Sequence, residues 1–365
     1  MARPSIRDDL ALFASYHSPQ VSVDVRLNTN ESPTPPPAEF SEVVARAAAA
    51  TEWHRYPDRA AGALRSRLAG LHPDAGAAAG LELAADHVFV ANGSNEVLQT
   101  ILLTFAGAGR TVATFEPTYA LHAHLAKISG ARVIDGGRGD DFLIDVDAAE
   151  AWLRAEPPAV VFTCSPNNPT GIVEPPATLE RLADLADELG FLLVVDEAYG
   201  QFAPWSAEAL LAEDRNVVVS RTYSKTWAMA AARIGYLLAP TWVVAELEKV
   251  VLPYHLDALK QAAGLAALDF VDDMERRVAE AVEERGRIEA TLLDLGCTVW
   301  PSGANFVLFR PPSGDGDRVW QGLVDRSVLV RNTASWPHLE GCLRVTIGTP
   351  DENSRFLSAL EEVLT

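Results

Sequence analysis

The sequence predicts an α/β fold, with a large domain whose mostly parallel, mixed sheet is flanked by helices and a smaller α+β domain after it. Three observations lead there. Short apolar runs of β type alternate with helical stretches from about residue 87 to residue 239, the pattern of strands joined by crossover helices. Polar motifs follow directly on several of those runs, where the carboxyl ends of parallel strands present ligand-binding side chains. At 365 residues the chain is too long for one small core, and its 48% apolar and 22% charged residues are ordinary for a globular protein.

Residues 1–40 read as an N-terminal arm packing with the small domain, because Leu27-Asn28-Thr29-Asn30-Glu31-Ser32-Pro33 runs into Pro35-Pro36-Pro37, which blocks regular hydrogen bonding. A helix is expected from Ala38 to Thr51, opening a large domain over residues 41–245. Its strands are expected at His87–Ala91, Thr111–Phe115, Ala159–Cys164, Phe191–Val195, Asn216–Ser220 and Ile234–Ala239. Leu179, Leu182, Ala186 and Leu189 recur at helical spacing and predict an amphipathic helix covering the sheet. Residues 246–365 make the small domain, with long helical stretches and then strands at Cys297–Trp300, Asn305–Phe309 and Cys342–Ile347. Thr349-Pro350-Asp351-Glu352 opens its last helix with a capping box and a proline at the first helical position. Ala75-Gly76-Ala77-Ala78-Ala79-Gly80 reads as a surface loop.

A formal charge of −20 argues against nucleic acid and acidic membranes as partners, since both need a basic face. Anionic substrates are not excluded, because that far field is screened beyond about 8 Å at physiological salt and a local arginine cluster dominates at close range. The three widely spaced cysteines, with no C-x-x-C pair, point to a reducing compartment. With no apolar leader at Met1–Leu10, the cytoplasm is the expected location.

The most informative segment is Thr222-Tyr223-Ser224-Lys225, followed by Arg233. It sets an amine, two hydroxyls and a guanidinium around one point after an apolar run. A lysine in a desolvated pocket loses its proton and condenses with a carbonyl, whereas hydroxyls, backbone N–H groups and guanidinium suit a phosphate. Pyridoxal phosphate carries both groups. The chain has only four lysines, so a lysine here is not background usage, although a solvated loop lysine is the alternative. Gly93-Ser94-Asn95-Glu96 follows an apolar run and opens a helix, so its free N–H groups are either an anion site or an ordinary cap. Ser165-Pro166-Asn167-Asn168-Pro169-Thr170-Gly171 is a turn by composition. In Asp196-Glu197-Ala198-Tyr199 an acid directly follows five apolar residues, where it needs a positive partner such as a pyridinium N–H unless it is an exposed strand end.

Together these motifs resemble the fold-type-I aminotransferases that use pyridoxal phosphate, and more narrowly the histidinol-phosphate aminotransferase family, over nearly the full chain. Arg55-Tyr56-Pro57 and Leu343-Arg344-Val345-Thr346-Ile347-Gly348-Thr349 belong to the same likeness. The resemblance implies that Lys225 is the Schiff-base lysine and Asp196 the partner of the ring nitrogen. It implies that Tyr199 and Asn168 meet the ring's phenolic oxygen, and that Tyr119 stacks on the ring. Ser94, Asn95, Thr222, Ser224 and Arg233 would hold the phosphate, with Tyr56 reaching in from the neighbouring subunit of a homodimer. One charge pair at 4 Å, at an effective dielectric near 20, is worth about 4 kcal/mol, enough to make Arg233 a main anchor. Arg344 and Arg331 match residues that meet anionic groups of the amino donor and the 2-oxo acid acceptor, and Tyr16 and Asn30 match the covering arm. As a charge inside an apolar run, Arg344 needs a partner wherever it points.

The activity so implied is transfer of an amino group between L-histidinol phosphate and 2-oxoglutarate in histidine synthesis. Three departures bear on specificity: Ala230-Ala231-Ala232-Arg233 replaces the usual Ala-Gly-Leu-Arg, His255 stands where asparagine is usual, and no proline precedes the arm around Tyr16. An aromatic amino-acid transaminase, a threonine-phosphate decarboxylase type of lyase and a non-catalytic pyridoxal-phosphate-binding regulator are the alternatives.

Overall fold

The computed structural model describes residues 4–7, 10 and 21–365. The chain runs through β1 (Val25–Leu27), α1 (Ala38–Ala50), α2 (Gly62–Leu71), β2 (Val88–Ala91), α3 (Ser94–Phe105), β3 (Thr111–Thr114), α4 (Leu121–Ile128) and β4 (Arg132–Asp135). It continues through α5 (Val146–Ala155), β5 (Val160–Cys164), α6 (Pro176–Leu189), β6 (Leu192–Asp196), β7 (Val217–Thr222) and β8 (Gly235–Leu238). The last part holds α7 (Thr241–Leu247), α8 (Ala258–Ala267), α9 (Val271–Asp294), β9 (Thr298–Val299), β10 (Phe306–Arg310), α10 (Gly316–Val324), β11 (Val328–Asn332), β12 (Leu343–Thr346) and α11 (Pro350–Leu364).

Seven strands form the larger sheet in the order β2-β8-β7-β6-β5-β3-β4. Only β8 runs against its neighbours; the other pairings are parallel. Successive residues of a strand point to opposite faces, and here both faces are covered, which explains the unbroken apolar runs. Leu193, Val195, Val217 and Val219 enter one core with Leu179, Leu182 and Ala186 of α6. Leu192, Val194 and Val218 enter the other, with Val97, Leu98 and Ile101 of α3. Helix α6 starts on Pro176 and stops at Gly190, whose φ of 78° takes the left-handed turn that ends a helix.

The smaller sheet has the order β1-β11-β12-β10-β9, with β1 parallel to β11 and the rest antiparallel. Val307, Phe309, Leu343 and Val345 pack on one side against α9, α10 and α11. By alternation Phe306, Leu308, Arg344 and Thr346 face the other way. Thr349 accepts from the N–H of Glu352, whose carboxylate returns to the Thr349 N–H at 2.8 Å, the capping box expected for α11. Helix α9 bridges the two cores, since Met274 near its start packs with the larger sheet and Ile288 and Leu292 with the smaller.

Three strands went unforeseen. Strand β4 has only Val133 and Ile134 between Arg132 and Asp135; it lies at the sheet edge, where half-exposed ends are tolerated. Strand β1 is three residues long within a stretch read as arm, and β11 ends in the polar Arg331-Asn332.

Candidate active site

The ends of β5, β6 and β7, the start of α3, the segment 28–31 and the outer ends of β11 and β12 surround one cavity of about 800 Å³. Of the residues expected from sequence, it brings together Asn30, Ser94, Asn95, Tyr119, Asn168, Asp196, Tyr199, Thr222, Ser224, Lys225, Arg233, Arg331 and Arg344. Tyr56 is not among them; it is 79% exposed and stacks on Tyr254 with ring centroids 4.4 Å apart. Tyr16 lies outside the described residues. His255 is also absent from the cavity, donating from Nε2 to the Val90 carbonyl at 2.7 Å and stacking on Phe89.

Asp196 ends β6 and is 1% exposed. Its Oδ2 meets His122 Nε2 at 2.9 Å, and its Oδ1 accepts from the Ala198 N–H at 3.1 Å. His122 is fully buried, lies parallel to Phe162 at 4.7 Å and meets Tyr119 edge-on. Sequence reasoning missed this histidine, which sits in the first turn of α4 just after Tyr119. Behind Asp196 and Thr222 their chain neighbours Glu197 and Arg221 form a buried ion pair at 2.7 Å, which ties the ends of β6 and β7 together from the opposite face.

Lys225 follows β7 and donates from Nζ to the Thr29 carbonyl at 3.2 Å. Burial, with nearby Arg344 and Arg233, pushes its amine down to about 8 against the pull of Glu31. Burial pushes the Tyr199 phenol up to about 12, so it is a proton donor at neutral pH; its oxygen also accepts from Asn30 Nδ2 at 3.0 Å. Burial likewise raises the Cys164 thiol in the cavity wall, which keeps it protonated and unreactive.

An anion cradle lies at one end. Thr222 Oγ1 and Ser224 Oγ are 3.0 Å apart, and Arg233 Nη1 donates to Ser224 Oγ at 3.4 Å. Helix α3 begins there with no side-chain cap on its first N–H groups. A Cβ on Gly93 would stand 2.7 Å from Arg233 Nη2, so only glycine admits the guanidinium here. Arg344, 6% exposed, donates to the Asn168 side-chain oxygen and to the Asn28 carbonyl, the latter at 3.1 Å, and its guanidinium lies 5.0 Å from the Phe306 ring centre. Arg331 is its register partner on the neighbouring strand, so two cations stand side by side.

These groups fit pyridoxal phosphate. The cradle offers hydroxyls, N–H groups and a guanidinium to a phosphate, a buried carboxylate waits for a protonated ring nitrogen, and a lysine with a depressed pKa waits for an aldehyde. Arg344 and Arg331 remain for the anionic groups of a substrate.

Comparison with known proteins identifies the family. The family model described as aminotransferase class I and II matches residues 22–360. The histidinol-phosphate aminotransferase of Mycobacterium sp. (strain JLS) is 43% identical over 358 residues, covering 97% of this chain and 92% of that protein. The protein of the same name from Corynebacterium glutamicum (strain R) is 41% identical over 363 residues, covering 98% and 96%. Among solved structures, the histidinol-phosphate aminotransferase from Sinorhizobium meliloti in complex with pyridoxal-5'-phosphate superposes with a TM-score of 0.82 at 25% identity, covering 94% of this chain and 91% of that one. Aspartate aminotransferase from Thermus thermophilus with maleate gives 0.78, also at 25% identity, over 94% and 92%. The chain belongs to the class I and II aminotransferase family.

Proposed function

We propose that this chain is a cytoplasmic, homodimeric transaminase that uses pyridoxal phosphate to move an amino group between L-histidinol phosphate and 2-oxoglutarate in histidine synthesis. The observation that carries the reading is one cavity holding a lysine of depressed pKa and a buried carboxylate at strand ends, opposite two arginines paired across β11 and β12. The curated relatives named histidinol-phosphate aminotransferase support the choice of donor.

When bound, the cofactor supplies an electron sink that makes the substrate Cα proton acidic. The chain's own groups do the rest. Asp196, oriented by His122 and the Ala198 N–H, holds a proton on the ring nitrogen. Lys225, its amine lowered to about 8, keeps a reactive neutral fraction at physiological pH; it would hold the cofactor through its aldehyde carbon and, when free, would move the substrate proton between Cα and C4′. Tyr199, still protonated, donates to the ring's phenolic oxygen. Arg233, Ser224 and Thr222 keep the phosphate anchored while the lysine is detached. Arg344 and Arg331 take the phosphate of the donor in one half-reaction and a carboxylate of the acceptor or of glutamate in the other.

Tyr56 and Tyr254 stack on each other and are exposed, as are Trp53 and Leu252, which supports burial against a second copy, with Tyr56 completing that copy's site. The deciding experiment compares kcat/KM for histidinol phosphate, phenylalanine, tyrosine and threonine phosphate in single-turnover spectroscopy. Histidinol phosphate is expected to lead. A higher ratio for phenylalanine or tyrosine would make the chain an aromatic transaminase, and carbon dioxide released from threonine phosphate would make it a lyase.

A further inference from the structure

Every polar atom of Asn30 is engaged. Its N–H donates to Thr346 Oγ1 at 3.0 Å and its carbonyl accepts from Asn305 Nδ2 at 3.2 Å. Its Oδ1 accepts from Thr346 Oγ1 at 3.0 Å, and its Nδ2 donates to the Tyr199 oxygen at 3.0 Å. The residue is buried and sits at φ 53°, in the left-handed region that asparagine tolerates better than most side chains do. Its amide is therefore held in one place, against the phenol it touches.

The direction of these bonds follows from the one donor that cannot turn round, the backbone N–H of Asn30. Because Thr346 Oγ1 accepts that bond, its own proton goes to Asn30 Oδ1. The opposite placement of the amide would bring Nδ2 to Thr346 and strand the proton of this buried hydroxyl, which has no other acceptor among the described residues. So the NH2 group faces Tyr199, and the phenol oxygen is the acceptor there. A phenol carries one proton, which must then be given elsewhere; among the described residues none takes it, and Tyr199 lines the cavity. With Oδ1 in that place the phenol would donate to Asn30 and turn its lone pairs to the cavity instead.

We propose that Asn30 is a positioning residue for Tyr199: the relay from Thr346 through Asn30 fixes the phenol as a donor toward the cavity, so that its proton goes to the phenolic oxygen of the bound cofactor and not to the protein. This rests on the cavity as the pyridoxal phosphate site and not on the identity of the amino donor. It assigns the Asn30 side chain to the cofactor's partner and not to the substrate. It also links distant parts of the chain, because Thr346 ends β12 and Tyr199 follows β6. The phenol is set only when the smaller sheet and the segment 28–31 are docked.

The test is a pH titration of the holoenzyme's visible band. A donor to the cofactor's phenolic oxygen stabilises the negative charge there and loosens the proton on the adjacent Lys225 nitrogen, so losing the donor raises the midpoint. Tyr199→Phe should raise it by about 1–2 units, the value of one hydrogen bond to a charged acceptor. Asn30→Gly removes the amide, while glycine takes φ 53° without strain and keeps both backbone bonds. It should raise the midpoint by about 0.5 units, since the phenol keeps its proton but loses its direction. Thr346→Val, which unlocks the amide, should move it the same way. In a Tyr199→Phe background Asn30→Gly should add nothing, because it acts through the phenol alone. Arg344, Lys225 and Asp196, the charged groups around the phenol, are the same in every variant, and thermal melting of each holoenzyme confirms that it is folded. An unchanged midpoint in Asn30→Gly, or an equal rise with and without the Tyr199 hydroxyl, would overturn the role of Asn30. Equal midpoints in wild type and Tyr199→Phe would overturn it too, since the phenol then gives nothing to the ring. If histidinol phosphate is a poor donor while these shifts appear, the substrate reading fails and the role of Asn30 stands.

Discussion

The floor of the cavity and its far wall are built from different kinds of sequence. Asp196, Thr222, Ser224 and Lys225 come from two neighbouring parallel strands and the turn after them, held by the β6–β7 ladder and clamped behind by Glu197 and Arg221. On the far wall Asn30 and Arg344 come from opposite ends of the chain. The bond from the Asn30 N–H to Thr346 Oγ1, at 3.0 Å, spans 316 positions, as does that from Arg344 to the Asn28 carbonyl. The floor is a local structure with a global backbone ladder under it; the wall exists only when the smaller sheet and the segment 28–31 are docked. Changes to the floor should therefore act on the chemical step, and changes to the wall's arginines on substrate affinity.

The sharpest way to break this contrast is Lys225→Ala. Loss of both the nucleophile and the proton carrier should lower kcat by about 10³-fold or more. Borohydride reduction followed by peptide mass spectrometry should find the cofactor attached to Lys225 in wild type and to nothing in the variant. Turnover close to wild type would remove this lysine from the mechanism. Next comes Arg344→Ala on the wall. Removing a buried cation that donates to Asn168 and Asn28 should raise KM about 10–100-fold for both half-reactions with a smaller change in kcat, because charge-assisted bonds are worth about 1.5–3 kcal/mol. Steady-state kinetics with each substrate varied in turn would show it, and an effect on one substrate alone would mean separate anion sites.

The same contrast explains what could be read from sequence. The floor was legible because contiguous motifs at the ends of apolar runs need only the parallel sheet to bring them together, and six of the strands were visible as unbroken apolar runs buried on both faces. Arg344 was legible as a charge inside an apolar run. His122 was not, because a histidine in the first turn of a helix carries no mark of the strand end it will face; only the docking of α4 against β5 and β6 makes it Asp196's partner. Strand β4 escaped because an edge strand keeps polar ends. Tyr56 follows a motif, yet its side chain faces outward in the single chain.

A finer probe separates cofactor anchoring from fold stability. Gly93, at φ 83° and ψ 165°, occupies a backbone region essentially confined to glycine and leaves room for Arg233. Gly80, at φ 71°, has open space where its Cβ would stand. Gly93→Ala should cost about 1–3 kcal/mol of stability and weaken cofactor binding several-fold. Gly80→Ala should cost about 1–2 kcal/mol and leave cofactor affinity alone. Chemical denaturation with cofactor titration measures both, and equal cofactor affinities in the two variants would mean that Arg233 does not need the space at Gly93.

The smallest effect concerns the apoprotein and the floor's stored cost. Burial and neighbouring arginines hold the Lys225 amine near 8 when folded, against an ordinary 10.5 when unfolded. Below pH 8 both states carry the proton and folding bears the full penalty of enclosing the charge. Between 8 and 10.5 the folded state has released the proton while the unfolded state keeps it, so stability contributed at this site rises with pH; above 10.5 the difference is gone. Lys225→Met removes the titrating group, so the variant should exceed wild-type apoprotein by about 1 kcal/mol at pH 7, after discounting for the amine's partial contact with solvent. That advantage should shrink as pH climbs from 8 toward 10. Urea unfolding of both apoproteins across this range reads it directly. A gap that stays constant with pH would show that the amine is not desolvated, and the floor would then hold its nucleophile ready by hydrogen bonding to Thr29 alone.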